Sequence, residues 1–267
     1  MTIPNEKNIV SWFSEHQKPD GSVEVRAHIL DDDKSSQLIE FMSHVIPDCY
    51  ISGSDLTNRM NETGLSASEI LQNKLPDTGN VMSGDFGEVL TLFYLGSERN
   101  EDIKKIKKWR FKQDRKKATP HSDVIILYRK FSDRPSKMDF VICAESKAKA
   151  TGSDSKPIEN AIKGYDADKT GRLARTLIWL KEKAIDHGNA DDIEFITRFN
   201  DDRLMEYKKS YRAVAIIDRN YIDAELVKPI ELPDQNDEFE IIVLGIDNLK
   251  DLYEQIFSKA ISEVING

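Results

Sequence analysis

The apolar positions of this chain fall into two rhythms, and the change from one to the other maps its elements. Residues 22–30 (SVEVRAHIL) alternate as a strand does, and Asp31–Asp33 reads as a turn. From Ser35 to Val45 the spacing of Leu38, Ile39, Met42 and Val45 is helical, with serines available as N-caps. Residues 52–64 and 76–84 are rich in Gly, Asn, Asp and Ser and predict loops around a short helix near Ala67–Lys74. Phe86, Val89, Leu90, Phe93 and Tyr94 then define a very apolar helix that carries one acid, Glu88. A short strand is predicted around Trp109–Phe111. SDVIILY (122–128) and KMDFVICAESK (137–147) follow as two strand-length apolar runs joined by a polar, proline-containing turn. Residues 157–187 predict one long amphipathic helix or a pair. YRAVAIID (211–218) and FEIIVLG (239–245) are further buried strands, and Leu249–Ile265 is a C-terminal helix. Strands and helices mix through the last two thirds, so the fold class is α/β, a central sheet flanked by helices.

Composition narrows the class. At 267 residues, 39% apolar and 32% charged, the chain holds enough apolar mass for a core, and no run is long enough for a membrane helix. MTIPNEKNIVSWF lacks a basic region followed by an apolar stretch, so secretion is not expected and a cytoplasmic location is. Cys49 and Cys143 are too few for a disulfide framework or a cysteine-rich zinc site. The net charge of −9 is unevenly laid out. Nine basic residues and one acid lie between Lys104 and Lys117, which leaves the remainder strongly acidic. Lys104, Lys105, Lys107, Lys108, Arg110, Lys112, Arg115, Lys116 and Lys117 are therefore the candidate contacts to a polyanion. The alternative is a solvated charge run.

Four residues carry candidate chemistry. Glu145 and Lys147 are two apart on one strand and project from the same face. Asp123 opens the preceding strand and comes alongside them if the two form a hairpin. Glu88 reaches the same point if its helix packs on the sheet. Three converging carboxylates repel unless a cation lies between them, and a hard divalent ion such as Mg²⁺ takes such oxygen ligands. A neighbouring lysine then stabilises charge on a phosphate or orients an attacking water. Acid-x-Lys by itself says little, because it recurs at 32–34, 102–104, 154–156 and 206–208. At 145–147 alone among these it ends an apolar strand that follows one opened by an acid.

With GDFGE on a helix, SD before VIILY and ESK after MDFVICA, the chain resembles the PD-(D/E)xK nuclease superfamily. More narrowly it resembles the HamA family of Hachiman antiviral defence systems, nuclease subunits that work with a superfamily-2 helicase, HamB. The resemblance implies a restriction-endonuclease-like core with a central mixed sheet over residues 81–267. Residues 1–80 would form an N-terminal α+β extension available for partner docking. It further implies cleavage of DNA dependent on Mg²⁺, with Mn²⁺ as a substitute, and restraint by the helicase partner. Glu88, Asp123 and Glu145 would be the metal ligands and catalytic acids, and Lys147 the motif lysine. Ser122 stands where the superfamily pattern has proline. Lys163 and Lys169 lie where related enzymes place an auxiliary polar residue, and the sequence does not choose between them.

Plainer roles stand beside these. Glu88 also suits an exposed helix position, and Asp85, one turn earlier, suits an N-cap. His121 beside Asp123 is either a substrate contact or a structural ring. His16, His28, His44 and His187 show no metal-ligand spacing, Asp31–Asp33 lacks the glycine and distal glutamate of a calcium loop, and no P-loop follows Gly84. ATP hydrolysis is therefore not expected of this chain. The rival functions are a catalytically idle, nuclease-like module that binds DNA or regulates a helicase, and an RNA-directed nuclease.

Overall fold

The β-branched and aliphatic runs pair into one sheet, seen here in a computed structural model that describes residues 9–99, 101–200, 206–233 and 238–264. In chain order the elements are β1 (Phe13–Glu15), β2 (Arg26–Leu30), α1 (Ser35–Tyr50), α2 (Gly53–Thr63), α3 (Ala67–Lys74) and α4 (Asn80–Ser97). Then come β3 (Lys104–Lys105), β4 (Val124–Tyr128), β5 (Phe140–Lys149), α5 (Pro157–Ala167), α6 (Leu173–Asp186) and α7 (Ala190–Thr197). The chain ends with β6 (Lys208–Asp218), α8 (Arg219–Leu226), β7 (Glu238–Ile246) and α9 (Leu249–Glu263). The expected end of the last helix at Ile265, and the first eight residues, lie outside the described residues.

The strand order is β1-β2-β7-β6-β5-β4-β3. β2, β7, β6 and β5 run parallel, while β1, β4 and β3 pair antiparallel at the two sides. Parallel strands are covered on both faces, which is why β6 and β7 read as nearly continuous apolar runs rather than as alternations. On one face α1, α4 and α9 pack through Phe41, Phe86, Leu90 and Ile256 against Val124, Ile142 and Val214. On the other, Ile158 and Ile162 of α5 meet Ala213 and Ala215, and Leu173 and Leu177 of α6 gather with Ile125, Val141 and Cys143. The sheet runs across the expected boundary at residue 80, because β1 and β2 complete it through β7.

Several local expectations need correction. Residues 53–63 form a helix, not a loop: Ser52 accepts from the Asp55 N–H, and Gly64, with φ +70°, stops it. No side chain of this helix is fully buried and only Leu56 packs part-buried against the core, so no apolar stripe announced it. The segment around Trp109–Phe111 is a 3₁₀ turn over Lys108–Phe111, not a strand; only Lys104 and Lys105 pair with β4. The serines do not cap α1, since a 3₁₀ turn at Asp32–Lys34 feeds straight into it. Residues 157–187 are two helices joined by a widened π turn at Asp168–Arg172, where Gly171 adopts φ +126°. That kink turns out to build the site.

Candidate active site

β4 and β5 pair with Val124 opposite Ala144, which brings Asp123, one residue before β4, level with Glu145. The anticipated hairpin therefore forms, and Asp123, Glu145 and Lys147 share one face. The Lys147 Nζ donates to Asp123 Oδ2 at 3.2 Å, to the Ser146 carbonyl at 3.2 Å, and to Glu145 Oε1. One ammonium thus sits where three oxygens converge. The Ser146 N–H also donates to Asp123 Oδ2 at 3.1 Å, fixing that carboxylate on the neighbouring strand.

Glu88 comes from the other face of the sheet, on α4. This helix can lie close on the strands because of Gly87, whose missing Cβ would stand 3.3 Å from both Ile216 Cδ1 and Ser146 Oγ. The Glu88 carboxylate is buried and accepts from the Trp109 indole Nε1 at 3.0 Å. Between it and Asp123 stands Lys108, its Nζ 3.2 Å from Glu88 Oε2 and 3.7 Å from Asp123 Oδ1, and it donates to the Ser122 carbonyl at 2.9 Å. At 3% exposure Lys108 cannot be a surface contact to a polyanion, contrary to the expectation for the basic run. It is the internal counterion of the two acids.

Glu145 is held from a third direction. Arg172 donates from Nη2 to Glu145 Oε2 at 2.5 Å and to the Gly164 carbonyl at 2.8 Å, while its Nε meets Asp168 Oδ1 at 2.7 Å. Asp168 accepts from Ser122 Oγ at 2.6 Å, and Thr176 Oγ1 receives the Ser122 N–H at 3.1 Å. Gly164 makes the space: a Cβ there would lie 2.2 Å from Glu145 Cγ and Cδ. Of the basic residues in this stretch it is Arg172 that contacts Glu145, whereas Lys163 pairs with Glu159 at 2.6 Å and Lys169 lies over the Tyr165 ring at 5.9 Å.

The electrostatics follow from burial against compensation. Burial pushes the Glu88 carboxyl up to about 8, with the Asp123 charge adding to the shift and Lys108 opposing it. Burial likewise raises Glu145, helped by Asp123 and resisted by Lys147. At Asp123 burial also acts upward, but Lys108 and Lys147 outweigh it and hold the carboxyl below its ordinary value. Both lysines are pulled upward by the same acids against their own desolvation.

The expected trio does not close into one cage. Among the described residues no group of three or more His, Cys, Asp or Glu side chains is placed to hold a metal ion. Lys108 keeps Glu88 apart from Asp123, since buried like charges need a cation between them. The donor set that fits a hard cation is instead Asp123, Glu145 and the Ser146 carbonyl, three oxygens already drawn around one positive charge.

The remaining basic run is laid against local acids. Lys104 pairs with Asp192, Lys107 and Arg110 with Asp48, and Arg115 with Asp77. Lys117 lies 3.4 Å from Asp114, Lys105 lies over the Phe93 ring at 5.8 Å, and Lys116 is exposed. Lys112, buried at its tip, meets Asp85 at 2.5 Å, and Tyr50 donates to the same carboxylate at 2.6 Å. Asp85 is thus an internal acid in the middle of a turn of α4 and not an N-cap.

An α/β protein with a buried acid–base cluster at the junction of two antiparallel strands is the class that fold and site define. Its relatives make it more particular. The HamA family matches residues 7–260, and the chain belongs to that family, a component of the Hachiman antiviral defence system. No curated protein matches it. Among the described residues no helix is long and apolar enough to cross a membrane.

Proposed function

We propose that this chain is a metal-dependent DNA endonuclease subunit of the PD-(D/E)xK type, acting within a defence complex and restrained there by a helicase partner of the HamB kind. The observation that carries this reading is the convergence of Asp123 Oδ2, Glu145 Oε1 and the Ser146 carbonyl on a single cationic atom. Those three oxygens would hold Mg²⁺ or Mn²⁺. A divalent ion bound there supplies Lewis-acid polarisation of a phosphate and a water of lowered pKa.

The chain's own groups do the rest. Lys147 is the half-exposed member of the cluster, its side chain 37% accessible, and is able to withdraw from the oxygens and present its ammonium to a phosphate oxygen. Arg172 fixes the Glu145 carboxylate through a bond that leaves Oε1 facing Lys147. Lys108 and Trp109 hold Glu88 beside Asp123, where its raised pKa lets it keep or release a proton near neutral pH. The strongly acidic remainder of the chain and its N-terminal region are the candidate docking surfaces for the partner, a reading supported by the charge asymmetry and compatible with membership of the HamA family.

A second reading has its own support. Lys108, Lys147 and Arg172 compensate the carboxylates without any added ion, as an idle, nuclease-like binding module would require. One experiment separates the two. Purified chain and Glu145→Ala are incubated with linear and circular DNA, with Mg²⁺ and with chelator, alone and with the helicase. Cleavage that needs both the metal and Glu145 supports the nuclease. No cleavage under any of these conditions overturns it in favour of the idle module.

A further inference from the structure

Beside the carboxylate cluster lies a set of side chains that the proposed chemistry does not use. Arg172, Thr176 and Trp179 lie on successive turns of one side of the helical segment running through α6, and the last two touch the segment that leads into Asp123. Arg172 reaches Glu145, Thr176 takes the Ser122 N–H, and the Trp179 ring lies 4.7 Å from the His121 ring at 32°. Phe111 meets Trp179 edge-on at 5.6 Å and His187 at 5.3 Å. Four rings therefore continue, half-buried or exposed, from the mouth of the site outward.

Two further observations mark this row as more than core cover. His121 has φ +78°, a left-handed conformation that a non-glycine residue adopts at a cost, and here it carries a ring that packs on Trp179. Arg175, four residues before Trp179 on the same side of α6, is exposed and makes no hydrogen bond or ion pair with any described residue. It lies close enough to His121 for its charge to act on that ring. A guanidinium unpaired among the described residues and a run of aromatic faces ending at the proposed phosphodiester-cleaving cluster are the elements of a track for unpaired nucleotides. The guanidinium takes a phosphate and the rings take bases, which have no free faces inside a duplex.

The geometry points to a binding ledge for an unpaired strand on α6: Arg175 holds its backbone, and Trp179, His121, Phe111 and His187 stack its bases as it enters the carboxylate cluster. This deepens the nuclease reading, on which it rests for the ligand being nucleic acid, by naming single-stranded substrate or melted duplex ends as the preferred class.

Tryptophan fluorescence gives a direct test, because Trp12 and Trp109 are 4% and 0% exposed and only Trp179 is available to a base. The full chain is titrated in chelator with oligothymidylate, with a duplex and with RNA, and affinities are read in parallel from the anisotropy of labelled strands. Saturable quenching by the single strand, stronger than by the duplex, is expected. An equal response to RNA of the same sequence also supports a ledge for unpaired nucleotides. His187→Ala and Trp179→Leu should each weaken binding by about five- to a hundred-fold, the range for loss of one stacked base. Arg175→Ala should lower the salt dependence by about 0.7 of a logarithmic slope. His187 and Arg175 are exposed, so those two variants fold whatever Trp179→Leu does. Preference for duplex, or wild-type affinity in His187→Ala and Arg175→Ala together, overturns the proposal. Because binding is measured without metal, a chain that binds single strands but never cuts refutes the nuclease and not the ledge.

Discussion

Gly164→Ala isolates the packing on which the cluster depends. In an ordinary helix interior this change stabilises by about 1 kcal/mol, since alanine loses less backbone entropy. In α5 the new Cβ would stand 2.2 Å from Glu145 Cγ and Cδ and 2.6 Å from Oε1, all well inside van der Waals contact. Glu145 is 4% exposed and tied on both oxygens, to Lys147 and Arg172, so it cannot retreat without loosening at least one charged hydrogen bond. Loss of one such bond costs about 1.5–3 kcal/mol, and forced overpacking a further 1–3 kcal/mol. Set against the helix gain, the net expectation is a destabilisation of about 1.5–5 kcal/mol. Urea unfolding followed by circular dichroism reads it as a lowered midpoint at unchanged slope. Gly84→Ala in α4 is the control, because a Cβ there meets nothing within 4 Å, and it should gain about 0.5–1 kcal/mol. In a Glu145→Ala background the clash disappears, and Gly164→Ala should then turn stabilising. A single Gly164→Ala variant as stable as the wild type would refute the reasoning.

Four other outcomes follow from the same contacts. Lys108→Met leaves Glu88 and Asp123 without their shared counterion and should cost about 3–5 kcal/mol near pH 8, but less near pH 5, where Glu88 is protonated; equal losses at both would contradict the pairing. Glu88 has a folded pKa raised to about 8, so its contribution is fully present below about pH 4.5 and is lost as pH rises through 8. Glu88→Gln should therefore gain stability relative to the wild type across that window, as urea midpoints at about pH 5, 6.5 and 8 will show. Mg²⁺ should raise the melting temperature of the wild type and of Lys147→Ala but not of Glu145→Ala, which thermal shift with and without chelator measures. Lys112→Met strands the buried Asp85 carboxylate and should cost about 3 kcal/mol in urea unfolding, with Asp85→Asn/Lys112→Met recovering much of it.

The elements with strong apolar periodicity were legible: α4, β4 and β5, β6 and β7 lie close to where their patterns place them. So was the shared face of Asp123, Glu145 and Lys147, because strand period and hairpin pairing are local rules. What periodicity could not show was the compensation. Lys108 looks like any other member of a basic run, and only its position in a 3₁₀ turn beneath Glu88 buries it. Arg172 is hidden in a segment that reads as one long helix or a pair, with no sign of where a break would fall; the π turn at Gly171 brings it to Glu145. The one sequence sign was Asp168, four residues before it and of opposite charge. The polar α2 escaped for the opposite reason, having caps but no apolar face.

The charge within the cluster also constrains what it can accept. Glu88, Asp123, Glu145 and Asp168 supply four acids, while Lys108, Lys147 and Arg172 supply three bases. Lys108 is sealed in and Arg172 is locked by Asp168 and Gly164, so Lys147 is the one base whose departure leaves the scaffold intact. On the proposed nuclease reading, with Lys147 turned to solvent and Glu88 ionised, four acids would face two bases, and that deficit of two would match one divalent cation in the place where three oxygens remain. A monovalent ion would leave the carboxylates under-compensated in a low-dielectric setting, and a trivalent one would overshoot. If the proposed reading holds, one doubly charged ion takes the place of one ammonium, and Lys147→Met, which deletes the ammonium permanently, should bind Mg²⁺ more tightly than the wild type in calorimetric titration.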